Sequence, residues 1–161
     1  MIRYVSGNLL HSDADILVNP VNCEGVMGAG LAKAFKERYP RLFHQYATDC
    51  MAGLYKPGSV FCYDTEDVEH GVRIIACFPT KTTWRAPSRI EYIADGMRDL
   101  FAMMLAHTEH MARPISVALP KLGCGLGGLP WPQVHDVIVA AYNEVDWGER
   151  DPVVQIYGEK P

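Results

Sequence analysis

The stretch Ile16-Leu17-Val18-Asn19-Pro20-Val21-Asn22-Cys23-Glu24-Gly25-Val26-Met27-Gly28-Ala29-Gly30 decides the fold. It opens as a β-rich run from Ile16 to Asn19 and breaks at a turn-forming Asn-Pro. Three glycines follow, leading into a helical pattern from about Gly28 to Tyr39 that Pro40 stops. A strand that passes through a glycine-rich loop into a helix is one unit of an α/β sheet. Residues without a Cβ let backbone N–H groups approach an anion, and the helix N-terminus beyond adds positive potential.

Outward from this segment the same order recurs. Further β-rich runs, Ile2 to Val5, Val60 to Tyr63, Val72 to Phe78, Ile115 to Leu119 and Val153 to Tyr157, alternate with helical patterns. The helices fall at Arg41 to Met51, Ser88 to about Ala106, and Pro132 to Asn143, where Pro132 suits a first-turn position. Ser88 and Glu91 after Pro87 read as a capping box, and Ile90, Ile93, Ala94, Met97, Leu100, Phe101, Met104 and Leu105 repeat at helical spacing as a core face. The alternation predicts an α/β sheet of about six strands with helices on both faces. With no internal repeat or low-complexity linker, it also predicts one domain over residues 1–161.

Composition excludes several classes. Of 161 residues, 48% are apolar and 21% charged, which is ordinary for a soluble globular domain. No apolar run reaches membrane-spanning length and the start lacks a signal-peptide pattern, so a cytoplasmic, monomeric protein without a membrane partner is expected. Five cysteines without C-x-x-C spacing read as reduced, mostly buried thiols, neither a disulfide framework nor a zinc site. The six histidines are scattered and show no ligand spacing with Asp or Glu, so no metal is expected. A net charge of −4 means that any contact with nucleic acid is local.

Four segments carry the unusual residues, each directly after a predicted strand: Ser6 to Leu9, Asn19 to Gly30, Phe78 to Lys81, and Pro120 to Gly128. Ligands of open α/β sheets bind beyond the carboxyl ends of strands, so the four converge on one cleft. Two glycine-rich loops suggest a diphosphate. Gly25 to Gly30 begins like a P-loop, but Leu31-Ala32 stands where Lys and Ser/Thr belong; a dinucleotide fingerprint fails because Lys33 replaces the third glycine. Taken alone, each glycine cluster reads equally as a helix cap and tight turn, and Lys81 as a solvated loop lysine. Asn19 and Asn22 suit ribose hydroxyls, Asn22 the better of the two. Cys124 has no histidine placed to activate it and reads as a small structural residue.

Together, Gly7-Asn8-Leu9-Leu10, Val18-Asn19-Pro20-Val21-Asn22, Gly25-Val26-Met27-Gly28-Ala29-Gly30, Phe78-Pro79-Thr80-Lys81 and Leu122-Gly123-Cys124-Gly125-Leu126-Gly127-Gly128-Leu129 resemble a macrodomain. The nearest branch is that of the DarG-type antitoxins, which remove ADP-ribose from thymidine in DNA; the terminal ADP-ribose protein glycohydrolase is a more distant relative. The resemblance implies a three-layer α/β/α fold with a mixed sheet. It also implies a pocket for ADP-ribose and no cofactor. Asn8 and Leu9 would face adenine, with Tyr157 bordering the adenosine or serving only as a sheet-edge tyrosine. Asn22 would be the second catalytic residue, binding the distal ribose and orienting its hydroxyls for the reaction, with Asn19 beside it in the ADP-ribose pocket. Gly25, Val26, Met27, Gly28 and Gly30, with Thr80 and Leu122, Gly123, Cys124, Gly125, Leu126 and Gly127, would wrap the rest.

The resemblance makes Lys81 the catalytic lysine, attacking the anomeric carbon to give a Schiff-base-type adduct. That requires the neutral amine of a group whose ordinary pKa is about 10.4. The protein-directed relative carries an aspartate where this chain has Gly127, so its two-residue scheme does not transfer and the DNA-directed branch is favoured. Trp84, Arg85 and Arg89 are the candidate DNA contacts. The implied partners are ADP-ribosylated DNA, or else protein, and a cognate ADP-ribosyltransferase toxin. Alternatives are cleavage of ADP-ribosyl esters on protein Glu or Asp, cleavage of ADP-ribose phosphate, and a non-catalytic ADP-ribose reader. The chain ends soon after its last predicted strand, without the extra downstream domain of such antitoxins, so no toxin-binding role beyond the macrodomain is expected.

Overall fold

A computed structural model describes residues 1–67 and 69–161. Six strands, β1 (Ile2–Val5), β2 (Ile16–Val21), β3 (Phe61–Asp67), β4 (Gly71–Pro79), β5 (Ser116–Leu119) and β6 (Val153–Tyr157), form one sheet in the order β1-β6-β5-β2-β4-β3. Every pairing is parallel except β3 with β4, so five strands end on the same edge. The helices are α1 (Gly30–Arg38), α2 (Pro40–Met51), α3 (Ile90–Thr108) and α4 (Trp131–Asn143). This is the expected mixed sheet in an α/β/α arrangement.

Alternation along the strands assigns the two faces. Ile16, Val18, Ala76, Phe78, Val117 and Leu119 pack with Ile93, Met97, Leu100 and Phe101 of α3 and Val134 and Ile138 of α4. On the opposite face, Leu17, Val21, Ile75 and Cys77 pack with Phe35 of α1 and Leu42 and Tyr46 of α2. The α3 layer lies close to the sheet because Gly96 leaves room for a ring: a Cβ there would stand 2.3 Å from Cζ of Phe78.

The structure corrects several boundaries. β2 runs on through Pro20 and Val21, paired with Phe78 and Pro79 of β4, although a proline reads as a strand end. The pairing of β2 with β5 is only two residues long, Ile16 with Val117 and Leu17 with Ala118. Beyond Leu17 the ladder is therefore one-sided, and a residue without an N–H is tolerated. Pro40 separates the first two helices as expected, but it also occupies the first turn of α2.

The capping box of Ser88 and Glu91 does not form. α3 starts two residues later, with Arg89 at the N-cap and no side-chain cap. The Ser88 amide instead donates to the Gly127 carbonyl at 3.0 Å, and the buried Ser88 side chain packs beneath the second glycine loop. The thiols are also less buried than expected: Cys77 is buried, Cys23, Cys50 and Cys124 are intermediate and Cys62 is exposed, all five free. Among the described residues no helix is long and apolar enough to cross a membrane.

Candidate active site

Where β2 and β5 part, a cleft of about 550 Å³ opens between the loops that follow them. Lys81 and Trp84 from the loop after β4 complete its wall. This is the crevice at the carboxyl ends of a parallel sheet where ligands of such folds bind. A second hollow, of about 480 Å³, lies near the C-terminus of α3 between Leu105, Trp147 and the acidic Glu109, Asp146 and Glu149. It receives neither a glycine loop nor a helix N-terminus.

The loop after β2 is built around Asn22. Its Oδ1 accepts from the amides of Glu24 (3.0 Å) and Val26 (3.4 Å) and from the Tyr46 hydroxyl (2.8 Å), while Nδ2 donates to the Val26 carbonyl at 2.8 Å. One carboxamide thus folds the turn and leaves a single N–H for a ligand. Gly25 has φ +83° and lies over α2, where a Cβ would stand 3.3 Å from the Ala47 Cα, so this turn needs glycine. The loop delivers Gly28, Ala29, Gly30, Leu31 and Ala32 to the cleft. The Ala29 N-cap supplies no side-chain hydrogen bond. The first turn of α1, without a side-chain cap, therefore lines the cleft at the positive end of the helix dipole, which favours an anion.

The loop after β5 closes on itself: the amides of Cys124, Gly128 and Leu129 donate to the carbonyls of Lys121, Gly125 and Gly123. Gly123, Gly125, Leu126 and Gly127 reach the cleft. A Cβ on Gly127 would stand 2.1 Å from Ser88 Oγ and 2.6 Å from the Gly123 carbonyl oxygen, so the backbone takes this path only without a side chain. Residues of both glycine loops line the same cleft.

The loop after β4 carries Lys81. Its backbone is stitched to the first loop by Thr80 N–H to Val21 O (2.9 Å) and Cys23 N–H to Thr82 O (3.0 Å). Half-buried Lys81 donates from Nζ to the Trp84 carbonyl at 3.1 Å. Trp84 is 53% exposed at the rim, with the Arg85 guanidinium 4.6 Å above its ring. Burial pushes the Cys23 thiol up to about 11 and the Cys77 thiol up to about 12, and burial likewise raises Cys124. None of these three is a ready nucleophile, as expected of Cys124.

Of the residues singled out from the sequence, the cleft gathers Asn22, Val26, Gly28, Gly30, Thr80, Lys81 and Trp84, with the four residues of the second glycine loop. Others lie behind or beside it. Asn19 is fully buried with its amide nitrogen toward Met27 Sδ and Cys77 Sγ, while Met27 and Leu122 are core. Asn8 caps a short 3-10 turn by accepting from the Leu10 amide, and Leu9 is buried in that turn. Gly25 shapes the loop from below, Cys124 turns its Sγ to the Leu122 carbonyl, and Tyr157 packs at the edge of the core. Arg85 and Arg89 stand outside the lining, Arg89 near Glu91 and over the Tyr92 ring.

Sequence reasoning missed Lys121, which lines the cleft, pairs with Glu159 and stands over Trp131; its place directly after β5, like that of Lys81 after β4, was the available signal. It also missed Glu24, whose carboxylate accepts from the Trp84 amide, and Tyr46, which reads only as an apolar helix position. Among the described residues, the scattered acids and histidines hold one exception to the expected lack of ligand spacing. Donor atoms of Asp67, Glu69 and His70 lie within 4.8 Å of one another at the β3–β4 turn, but Asp67 there is already paired with Arg38.

Comparison with known proteins matches the Macro domain family over residues 18–138. The chain is 43% identical, over 90% of its length, to the DNA ADP-ribosyl glycohydrolase of Mycobacterium tuberculosis, and spans about two-fifths (40%) of that protein. The solved macrodomain of Mycobacterium tuberculosis DarG superposes with a TM-score of 0.86 at 42% identity, covering 99% of both chains. Thermosipho africanus DarTG, solved in complex with ADP-ribose, superposes with a TM-score of 0.81 at 27% identity, over 99% of this chain and 43% of that one. The chain belongs to the Macro domain family, and its similarity to a DarG macrodomain runs over nearly its whole length.

Proposed function

We propose that this chain is an ADP-ribosyl glycohydrolase that removes ADP-ribose from DNA, with thymidine-linked ADP-ribose as substrate and Lys81 as the catalytic residue. The observation that carries this reading is the cleft itself: two amide-bearing loops and an uncapped helix N-terminus at one place, and a half-buried lysine beside them. The names of the similar proteins support the same activity and a DNA acceptor. The amides of Gly30 and Leu31 and of Gly125 to Gly127 would take the diphosphate, and the remaining Asn22 N–H the distal ribose.

Lys81 would first leave the Trp84 carbonyl and lose a proton. Its lone pair then forms the bond to the anomeric carbon, the bond to the thymine nitrogen breaks with its electron pair, and the departing base takes up a proton. The resulting glycosylamine opens its ribose ring, the ring oxygen leaving the anomeric carbon and taking a proton as the nitrogen lone pair forms the C=N bond. Water then hydrolyses this Schiff base to free ADP-ribose and the amine. Holding the ribose at Asn22 while the diphosphate is fixed provides the orientation that such an attack needs. The exposed Trp84 face, flanked by Arg85, offers a stacking surface for a base beside the modified thymidine. A DNA ADP-ribosyltransferase would supply the substrate, and its fusion or pairing with this chain is the partner we infer.

A time course on thymidine-ADP-ribosylated oligonucleotide, against ADP-ribosylated protein and ADP-ribose phosphate, tests the reading. Release from the oligonucleotide is expected, unchanged by EDTA, and abolished in Lys81→Ala while ADP-ribose still binds. Release from protein or from the phosphate alone reassigns the acceptor. Binding without release from any of the three defeats the hydrolase reading.

A further inference from the structure

Glu24 lies on the loop after β2 and reaches the loop after β4, 60 residues on in sequence. The parallel ladder between these loops ends early: Val21 receives the Thr80 amide, Thr82 receives the Cys23 amide, and beyond them no strand pairing holds the second loop. Glu24 takes over at that point. Its Oε2 accepts from the Trp84 amide at 3.2 Å, and the Trp84 carbonyl accepts from Lys81 Nζ at 3.1 Å. On its other side the Glu24 amide donates to Asn22 Oδ1 at 3.0 Å, which the buried Tyr46 hydroxyl also holds at 2.8 Å. A continuous chain of hydrogen bonds thus runs from α2 through Asn22, Glu24 and Trp84 to Lys81. Its weakest-anchored part is Trp84, 53% exposed, whose own backbone groups are held, among the described residues, by Glu24 and Lys81.

We infer that Glu24 is a positioning residue: its carboxylate fixes Trp84, and through the Trp84 carbonyl it sets where the Lys81 side chain stands when substrate arrives. The inference rests on the hydrolase reading of Lys81. A lysine has four rotatable side-chain bonds, and an attack on one carbon needs it confined near the cleft rather than spread through solvent. A carboxylate accepting one exposed amide adds little to overall stability but sets local geometry. Since Lys81 makes its polar contact with a carbonyl and not with Glu24, the carboxylate acts through Trp84 rather than by taking the lysine proton.

The test compares wild type, Glu24→Ala, Glu24→Gln and Lys81→Ala by kcat and KM on the ADP-ribosylated oligonucleotide. ADP-ribose Kd and hydrogen exchange at the Trp84 amide are measured on the same proteins. In Glu24→Ala, kcat should fall about 10–100-fold as orientation is lost, with Kd for ADP-ribose within about twofold and faster Trp84 exchange. Glu24→Gln keeps an acceptor oxygen, and should restore Trp84 protection, most of kcat and the wild-type shape of the pH–rate profile.

Three results overturn the inference: full kcat in Glu24→Ala; Glu24→Gln as slow as Glu24→Ala with Trp84 still protected, which assigns the charge a proton-transfer role; or a Kd loss in Glu24→Ala that matches the kcat loss. Should wild type release nothing from any substrate, the hydrolase reading fails by itself. Trp84 exchange then decides the tether alone: unchanged protection in Glu24→Ala overturns it, and lost protection supports it.

Discussion

At Asn22 a single carboxamide makes four hydrogen bonds inside its own loop and to Tyr46, so its replacement removes a scaffold as well as a ligand contact. Asn22→Ala should weaken ADP-ribose binding about 10–100-fold and lower stability by about 1–3 kcal/mol, the range for buried groups left without partners; calorimetry and urea unfolding read the two separately. Gly127 gives a complementary prediction. Gly127→Ala places a methyl against Ser88 Oγ and the Gly123 carbonyl, so the loop must move, costing about 1–3 kcal/mol as overpacking does and displacing the amides that would hold the diphosphate. Adding Ser88→Gly should recover only part of the affinity, because the backbone oxygen stays in the way. Full recovery would show that Ser88 alone restricts this path. The chemistry of these residues was legible in the sequence, as polar and glycine positions following strands. Their supports were not: Tyr46 meets Asn22 only because α2 folds back over the loop, and no spacing in the sequence announces that.

Among the elements, α3 shows how packing overrides local preference. Gly96 is a poor helix former, and alanine would improve propensity by about 0.8–1 kcal/mol. Yet a Cβ at this position meets the Phe78 ring at 2.3–2.9 Å through three atoms. Gly96→Ala should therefore destabilise the protein by about 1–2 kcal/mol net, measured by thermal unfolding, and Phe78→Leu in the same chain should relieve part of the loss. The existence and type of all six strands and four helices were readable, because each helix buries one stripe at helical spacing and each strand is a short β-rich run between turn residues. Their ends were not. Pro20 continues β2 because β5 has already left the ladder, and Ser88 fails as a cap because the second glycine loop claims it. Both are decided by a neighbour distant in sequence.

Over the whole molecule, the acid limit of stability traces to the end of the sheet away from the cleft. Burial would raise the Asp67 carboxyl, but hydrogen bonds from Tyr39, the Glu69 amide, Arg38 and His70 outweigh it and hold the group well below the usual carboxylate range. A carboxyl whose folded pKa lies below its unfolded value of about 3.9 adds stability that is full above that value and is lost as pH falls towards the folded one. Urea midpoints should therefore be steady near neutrality and drop below about pH 4. Asp67→Asn should be less stable by about 2–4 kcal/mol at pH 7, with the gap narrowing in acid. A gap independent of pH would remove Asp67 from the account. Convergence of the strand-end loops on one edge was legible, since it follows from parallel pairing. The strand order was not, because nothing local says that the first strand lies beside the last.

That last adjacency bears on how the protein is made. Ile2 pairs with Val154, so during synthesis β1 has no partner until β6 has left the ribosome. Until then β1 is unpaired and β5 has a bare edge, the kind of surface that seeks other chains. Contacts this far apart in sequence also place docking of the β6–β1 pair late in folding. Nascent-chain stalling between β5 and β6 should therefore yield a species prone to aggregation and rescued by chaperones, while the ladder that carries Lys81 and Asn22 has already formed.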